Sequence, residues 1–461
     1  VSAYDVVVIG AGPAGMAAAV EARGAGLSVL VLDEAAAPGG QIWRGVEAAS
    51  PSRLGVLGAD FAKGADLAAA FRASGADYRP RATVWNISPE KVVDYSAGGG
   101  SRQAAAGAVI VATGAVERPV PMAGWLLPGV TTAGASQILL KTSGIVEPDT
   151  VFVGSGPLLW LVASQMVAAG VPPKAIVETV PHGRLMAAAK HLPGALKNAA
   201  ALAKGVRMMM AVKAAGVPVH TGVTDVAIAG ATHAEAVTFK GADGAMRIET
   251  RHVALHMGVV PNPQITRLLV CDHVFDTRQR AFVPVLDADR MTSRAGVYVA
   301  GDGGGILGAA AAVLTGRLAA MGAAEAAGRP VDEGARAAVR AALAKDAAVR
   351  PLLETLYAPT EAALAPADDV VVCRCEEVTA GAIRHAARLG AAGPNQVKSY
   401  LRAGMGPCQG RVCGMVVAEL IAAARGVTPG DVGYYRIRPP LKPLPLSELA
   451  ELGEAEPVAA Q

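Results

Sequence analysis

The chain has 461 residues, of which 52% are hydrophobic and 4% aromatic, with 54 glycines and a net charge of +3. That length holds two or three domains with sizeable cores, and so mild a charge excludes an electrostatic nucleic-acid binder. Five cysteines in a chain this long make no disulfide framework. The balance fits alternating α and β elements with tight turns and helices packed through small side chains. The opening Val1-Ser2-Ala3-Tyr4 runs into a strand and leaves no place for a signal peptide. The longest apolar run, residues 309–324, is interrupted by Arg317 and falls short of a membrane span. The expectation is a chain of the reducing cytoplasm, free or membrane-associated, with no transmembrane segment and no nucleic-acid partner.

Residues 5–9 form a short apolar run ending at glycine, which reads as a buried parallel strand. Gly10-Ala11-Gly12-Pro13-Ala14-Gly15 then turns into an alanine-rich helix that ends near Gly24 or Gly26. Residues 28–32 are the next strand, closing in Asp33 and Glu34. A dinucleotide fingerprint needs this strand–turn–helix–strand–acid order. Gly10 and Gly12 let the backbone approach a pyrophosphate, Gly15 lets helix and strand pack closely, and the helix N-terminus supplies a positive dipole. Asp33 is placed to accept from ribose hydroxyls, with Glu34 as the alternative. A loop with Gly39-Gly40-Gln41 follows, then a less regular region to residue 105. Residues 108–112 are another buried strand, leading into Thr113-Gly114.

Near residue 150 the pattern restarts with a strand over 150–153, Gly154-Ser155-Gly156-Pro157-Leu158-Leu159, a helix, and a strand over 175–177. The copy is imperfect. Leu159 stands where a glycine is expected, flanked by Leu158 and Trp160, and should crowd the helix–strand contact; Glu178 sits about one residue out of register. Against regular NAD(P) binding stand a vestigial fold element and a site taken over by another nucleotide. The stretch lacks a Cys-x-x-Cys redox pair. Strands follow over 253–257 and 296–300, the second ending in Gly301-Asp302, and a long alanine-rich helix spans 308–325. Gly328-Arg329-Pro330 breaks the pattern before a helical linker over 331–366.

Four of the five cysteines stand in Cys373-Arg374-Cys375 and Cys408-Gln409-Gly410-Arg411-Val412-Cys413. Two thiolate pairs on glycine-rich or polar loops suit an iron–sulfur cluster, with tetrahedral zinc as the alternative. Thr379 reads as a helix N-cap with Val378 and Ile383 as a hydrophobic staple. Cys413 opens a helix over 415–424 whose amides face the cluster's negative charge; Arg374 and Arg411 are placed to do the same or are simply solvated. Cys271 stands alone and reads as inert. Of the eight histidines only His256 is placed near a cofactor, and a satisfied core histidine is the better reading. No catalytic set follows from spacing. The tail from Thr428, with Tyr434-Tyr435 and a proline-rich run over 438–445, cannot fold alone and should lie along another surface.

Taken in this order, the fingerprint, Gly39-Gly40-Gln41, Ala112-Thr113-Gly114 and Gly301-Asp302 resemble the flavoproteins with two dinucleotide-binding domains, over residues 1–325. The resemblance implies FAD held by Gly10, Gly12, Pro13, Ala14, Gly15, Asp33, Glu34, Gly40, Gln41, Ala112, Thr113, Gly114, Gly301 and Asp302. It puts Gly301-Asp302 at the ribityl–phosphate part and the helix start over 306–310 at the flavin pyrimidine. Residues 370–425 resemble the small 2Fe–2S domain of bacterioferritin-associated ferredoxin, although that ferredoxin has a shorter gap between its last two cysteines. This implies Cys373, Cys375, Cys408 and Cys413 as the metal ligands.

The combination resembles the α (large) subunit of heteromeric opine and amino-acid dehydrogenases, a group with opine oxidases, D-hydroxyproline and proline dehydrogenases, and hydrogen cyanide synthase. Pro38-Gly39-Gly40-Gln41-Ile42-Trp43-Arg44, Gly258-Val259-Val260-Pro261-Asn262 and residues 403–414 carry that resemblance. It implies a partner β subunit whose own FAD oxidises the amine, a small third subunit, FMN at the subunit interface, and a quinone or other carrier as acceptor. The chain itself would relay electrons through cluster and flavin. A self-contained NAD(P)H-dependent flavin and iron–sulfur reductase is the alternative; a third is a non-catalytic partner holding a nucleotide such as ATP as structural filler. The expected fold is α/β, two Rossmann-like domains in a glutathione-reductase-like arrangement plus a small helical 2Fe–2S domain. Its divisions are 1–145 and 253–330 for FAD, 146–252 for the degenerate second domain, 331–366 for the linker, 367–427 for the cluster domain and 428–461 for the tail.

Overall fold

The computed structural model describes residues 2–452, so the last nine residues of the expected tail, and Val1, lie outside the described residues. Strand Ser2–Ile9 runs through the centre of the first unit, its last four residues fully buried. It pairs in parallel with Val29–Asp33 on one side and with Gly100–Val111 on the other. Asp77–Pro80 extends the sheet beyond Val29–Asp33, and Val297–Val299 beyond Gly100–Val111. Five parallel strands result, the central ones apolar on both faces because helices Pro13–Gly24 and Ala309–Ala326 cover one side and an antiparallel meander covers the other. The first half of Gly100–Val111 also closes an antiparallel meander with Thr83–Ile87 and Val92–Ala97.

The region expected to be less regular, up to residue 105, holds regular elements throughout. It holds helices Pro51–Leu57, Ala59–Ala62 and Gly64–Ala73 besides these strands. Its helices are short, two of them of seven residues or fewer, so they show no apolar period.

The second unit repeats the plan around Val151–Ser155. Ala175–Glu178 and then Val219–Thr221 lie on one side, Val253–Met257 and then Val130–Thr132 on the other, all parallel. A separate antiparallel sheet, Thr224–Ala229, Ala236–Gly241 and Gly244–Glu249, packs against it. The chain passes between the units on two antiparallel strands, Ala115–Glu117 and Val259–Pro261.

The linker is helical, as Glu333–Ala347, Arg350–Leu356 and Glu361–Leu364. In the cysteine region a short hairpin, Val371–Cys373 with Val378–Thr379, leads to helices Ala380–Arg388, Pro394–Leu401 and Gly414–Arg425. Thr379 caps the first of these by accepting the Ala382 N–H at 3.3 Å, and Val378 and Ile383 are both buried. This region is no loose appendage. One apolar core runs from Val7, Leu30 and Val109 through Phe282 to Val417 and Ile421. Glu419 pairs with Arg280 of the first unit, and the Trp125 indole donates to the Val371 carbonyl at 2.8 Å. No described helix is long and apolar enough to cross a membrane.

Small side chains set the helix spacing. Helix Pro13–Gly24 packs on Ala309–Ala326, and a Cβ on Gly316 would lie 3.1 Å from Ala14 Cα, against backbone that cannot yield. Gly316→Leu is therefore expected to lower stability by about 1–3 kcal/mol. Chemical denaturation of the full chain checks it: an unchanged midpoint would mean that the two helices do not pack through this glycine.

Candidate functional site

Three backbone segments meet at the C-terminal edge of the first sheet. Gly10 has φ +103°, and a Cβ there would sit 2.6 Å from the Ala112 carbonyl oxygen. The loop at Gly39-Gly40 crosses over this turn. Gly39 N–H donates to Ala11 O at 2.8 Å, and a Cβ on Gly40 would meet Gly12 Cα at 2.8 Å. Helix Pro13–Gly24 starts here with Pro13 in its first turn and no acidic residue there, so an anion meets its positive end without competition. From the far end of the unit Gly301 joins the same place, a Cβ on it falling 3.0 Å from Ala14 Cβ. Its N–H donates to Thr315 Oγ1 at 2.9 Å, while Asp302 Oδ1 accepts the Leu307 and Gly308 N–H groups at 2.9 Å each. Those bonds shape the turn before helix Ala309–Ala326.

Asp33 is 9% exposed. Its carboxylate accepts the Ala11 N–H on one oxygen and the Ala35 N–H at 2.6 Å on the other. Burial pushes its pKa up, and these amide bonds oppose the rise. A carboxylate has about four lone-pair sites, so two remain that could accept from a ligand's hydroxyls. Glu34 instead points outward and pairs with Lys442 from the C-terminal segment.

Two polar atoms in this neighbourhood are buried without a protein partner, Thr113 Oγ1 and Arg44 Nε. A cradle walled by glycine backbone, a helix N-terminus and orphaned donors fits a nucleotide pyrophosphate. Gly114, at φ +65°, lies just beyond, where its carbonyl accepts the Asn262 N–H at 3.1 Å and ties the cradle to the crossing strands.

Lys141 carried no signal in the sequence. It is 3% exposed, and its ammonium donates to Gln41 O at 2.9 Å and Gln137 Oε1 at 2.8 Å, fixing the loop over the cradle. Burial, with Arg44 adding repulsion, lowers its pKa to about 7.

The second unit has the same scaffold with its crevice filled. Glu178 pairs across from Gly154, level with the turn, just as Asp33 falls one step past the Ile9–Leu32 pair. The expected register error is thus corrected, because the extra residue is absorbed before the strand. Glu178 nonetheless accepts the Trp160 indole N–H at 3.2 Å. Leu159 is fully buried in the core with Phe152 and Ile176. A Cβ on Gly156 would lie 3.2 Å from His256 Nε2, so the imidazole occupies the approach to the turn. His256 Nδ1–H donates to Glu117 Oε1 at 2.7 Å, and Glu117 Oε2 accepts the Gly134 N–H at 2.9 Å. Tyr357 of the linker stands beside Glu178; burial first, and this carboxylate second, push its phenol up to about 12. His256 is a satisfied, buried histidine.

Four cysteines come together as two pairs. Cys373 faces Cys413, each 1% exposed, and Cys375 faces Cys408 nearer the surface. Sharing a proton with Cys413 holds the Cys373 thiol down to about 6, with the Gly404 N–H at 3.4 Å adding to the effect. The Cys413 thiol is driven up by the same pairing and by burial. Among the described residues no group of three or more His, Cys, Asp or Glu converges on a single metal ion. Two thiol pairs side by side match instead a binuclear centre in which each metal takes two sulfurs. A Cβ on Gly406 would meet Cys375 Sγ at 3.3 Å, so the loop runs close past the sulfur. Cys413 is the N-cap of helix Gly414–Arg425. Arg411 is half-buried and donates to Cys408 O at 3.2 Å and Leu441 O at 2.9 Å, whereas Arg374 is exposed. Cys271 lies apart, buried beside Thr292, with its thiol pushed up by burial.

Comparison with known proteins matches residues 4–328 to the pyridine nucleotide-disulphide oxidoreductase family and residues 371–423 to the BFD-like [2Fe-2S] binding domain. An opine oxidase subunit of Rhizobium meliloti (strain 1021) is 45% identical over 456 residues, covering 98% of this chain and 100% of that protein. Hydrogen cyanide synthase subunit HcnB of Pseudomonas aeruginosa is 34% identical over 481 residues, 97% of this chain and 98% of its own. Among solved structures, L-proline dehydrogenase from P. horikoshii shares the fold with a TM-score of 0.72 at 18% identity, over 97% of this chain and 79% of that one.

Lys141 makes stability pH-dependent. Its folded pKa of about 7 lies below its ordinary value of 10.5, so between those values the unfolded chain binds the extra proton and stability rises with pH. The denaturation midpoint of the flavin-free chain is expected to climb from about pH 7 to about pH 9, and Lys141→Met to flatten that climb. Equal slopes for the two proteins would contradict the buried-cation account.

Proposed function

The chain belongs to the pyridine nucleotide-disulphide oxidoreductase family and is similar along its length to an opine oxidase subunit; on that premise we propose that it is the electron-transfer subunit of a heteromeric amine or amino-acid dehydrogenase. The substrate class is of opine, hydroxyproline, proline or glycine type. A partner flavoprotein oxidises the amine, and electrons pass through this chain to a quinone or another carrier. FMN at the subunit interface, a cytoplasmic location and a small third subunit belong to the same proposal.

The observation that carries it is the contrast between the two crevices. One leaves a backbone-lined cradle with orphaned donors, while the other is occupied by Trp160 on Glu178 and His256 at Gly156. A chain that takes no hydride from NAD(P)H needs another electron source, and a second subunit is the simplest one.

Within this reading FAD lies across Gly10, Gly12, Pro13, Ala14 and Gly15, with Asp33 on the ribose and Gly40 and Gln41 closing over it. Ala112, Thr113, Gly114, Gly301 and Asp302 line the remainder, and Glu34 is the weaker ribose candidate because Lys442 holds it. Thr113 and Arg44 supply hydrogen bonds that the protein leaves unused. The helix starting at Ala309 presents its positive end to the reduced flavin's negative charge. Cys373, Cys375, Cys408 and Cys413 hold the 2Fe–2S cluster. A flavin accepts an electron pair and a cluster passes electrons singly, so both on one chain convert two-electron oxidation into one-electron delivery. The domain divisions remain those read from the sequence, except that the first part of the tail is better counted with the cluster domain.

Purification of the intact complex is expected to yield two kinds of flavin and two irons per complex, with a co-purifying flavoprotein. Zinc without iron would overturn the cluster assignment. In the Cys408→Ser protein the cluster's visible absorbance is expected to vanish while the flavin of this chain stays; an unchanged spectrum would remove Cys408 from the ligand set.

A further inference from the structure

Helix Gly414–Arg425 is followed by a segment that folds back over the cysteine loops. Tyr434 and Tyr435 are 6% and 1% exposed, as buried as the core. Gly404 and Gly410, at φ +84° and +78°, flank Cys408 in sequence, and a Cβ on either would strike the Tyr435 ring at 2.6 Å. The ring is thus wedged between the two turns that carry the second cysteine pair. Its hydroxyl lies 4.0 Å from Cys413 Sγ, which is its hydrogen-bonding partner.

The surrounding chain fixes this position. Tyr434 O–H donates to Gly410 O at 3.2 Å, the Leu441 N–H donates to Trp85 O at 2.7 Å, and Arg411 donates to Leu441 O. Lys442 then pairs with Glu34, so residues 434–442 bridge the cysteine loops and the first unit.

We propose that Tyr435 is a positioning residue of the cluster, its hydroxyl donating to the Cys413 sulfur and so setting the reduction potential at which the cluster relays electrons. The inference rests on the cluster reading above. A phenol hydroxyl is protonated at neutral pH, and a ligand thiolate is acceptor-only, so the direction of the bond is fixed. A donor on a ligand sulfur withdraws negative charge and favours the reduced cluster, which carries one more electron. Gly404 N–H on Cys373 acts on the same buried pair in the same sense. In a site this dry, removing the one side-chain donor on Cys413 is felt, because water does not replace it.

The test is redox titration of the iron-loaded full chain, followed by visible absorbance and electron paramagnetic resonance. Tyr435→Phe keeps the wedge and removes the donor, and its cluster is expected to titrate at a more negative potential with unchanged iron content. A fluorinated tyrosine at position 435, a stronger donor of the same shape, is expected to shift the potential the opposite way. It also decides the matter if the phenylalanine variant loses its iron. Iron-loaded variants at position 435 with the wild-type potential would overturn the inference alone. A wild-type chain without iron would end the cluster reading, and this inference with it, before any variant is compared.

Discussion

Backbone approaches backbone around residues 10–15 more closely than side chains permit, and most of the molecule is arranged to keep it so. Gly10 lies against the Ala112 carbonyl, Gly40 against Gly12, and Gly301 and Gly316 against Ala14. Each contact brings in a different part of the chain: the strand Gly100–Val111, the loop after Asp33, and both the turn and the helix near the end of the first unit. Side chains at these points would push the four segments apart and close the cradle. The alanine-rich, aromatic-poor composition is the same constraint seen along the sequence, since closely spaced helices need small residues.

The second unit shows what the scaffold becomes when that space is given to side chains. Its strand order and the level of its acid match the first unit, yet Trp160 caps Glu178 and the His256–Glu117 pair stands at Gly156. A nucleotide seated on this turn would have to displace a buried indole bond and a buried imidazole. Breaking such bonds without replacement costs about 1–3 kcal/mol each. The unit also carries the linker, through Arg184 and Asn198, and leads into the crossing strands.

The parts legible in the sequence were those with steric demands that few residues meet. The run before Gly10, the glycines and Asp33 specified the opening strand–turn–helix–strand of the first unit, and the paired cysteines marked out the region where four thiols meet. The stretch between residues 35 and 105 was opaque because its helices are short, and because Gly100–Val111 begins as Gly-Ser-Arg-Gln-Ala-Ala-Ala with no alternation. Lys141 gave no sign, since a cation buried by tertiary packing looks in sequence like any surface lysine. The level of Glu178 was misjudged because residue counting does not see where a helix–strand connection takes up an extra residue. Tyr434 and Tyr435 looked like part of a surface-running tail; only the folded-back path shows them filling the space beside the cysteine loops.

If electrons enter this chain from a partner flavoprotein, anaerobic reduction of the intact complex shows it most directly. An amine substrate of the opine or proline type should bleach the flavin of this chain and reduce the cluster, while NADH and NADPH leave both oxidised. Stoichiometric bleaching of the isolated chain's flavin by either pyridine nucleotide would contradict that electron route and return the second crevice to use as a hydride-donor site.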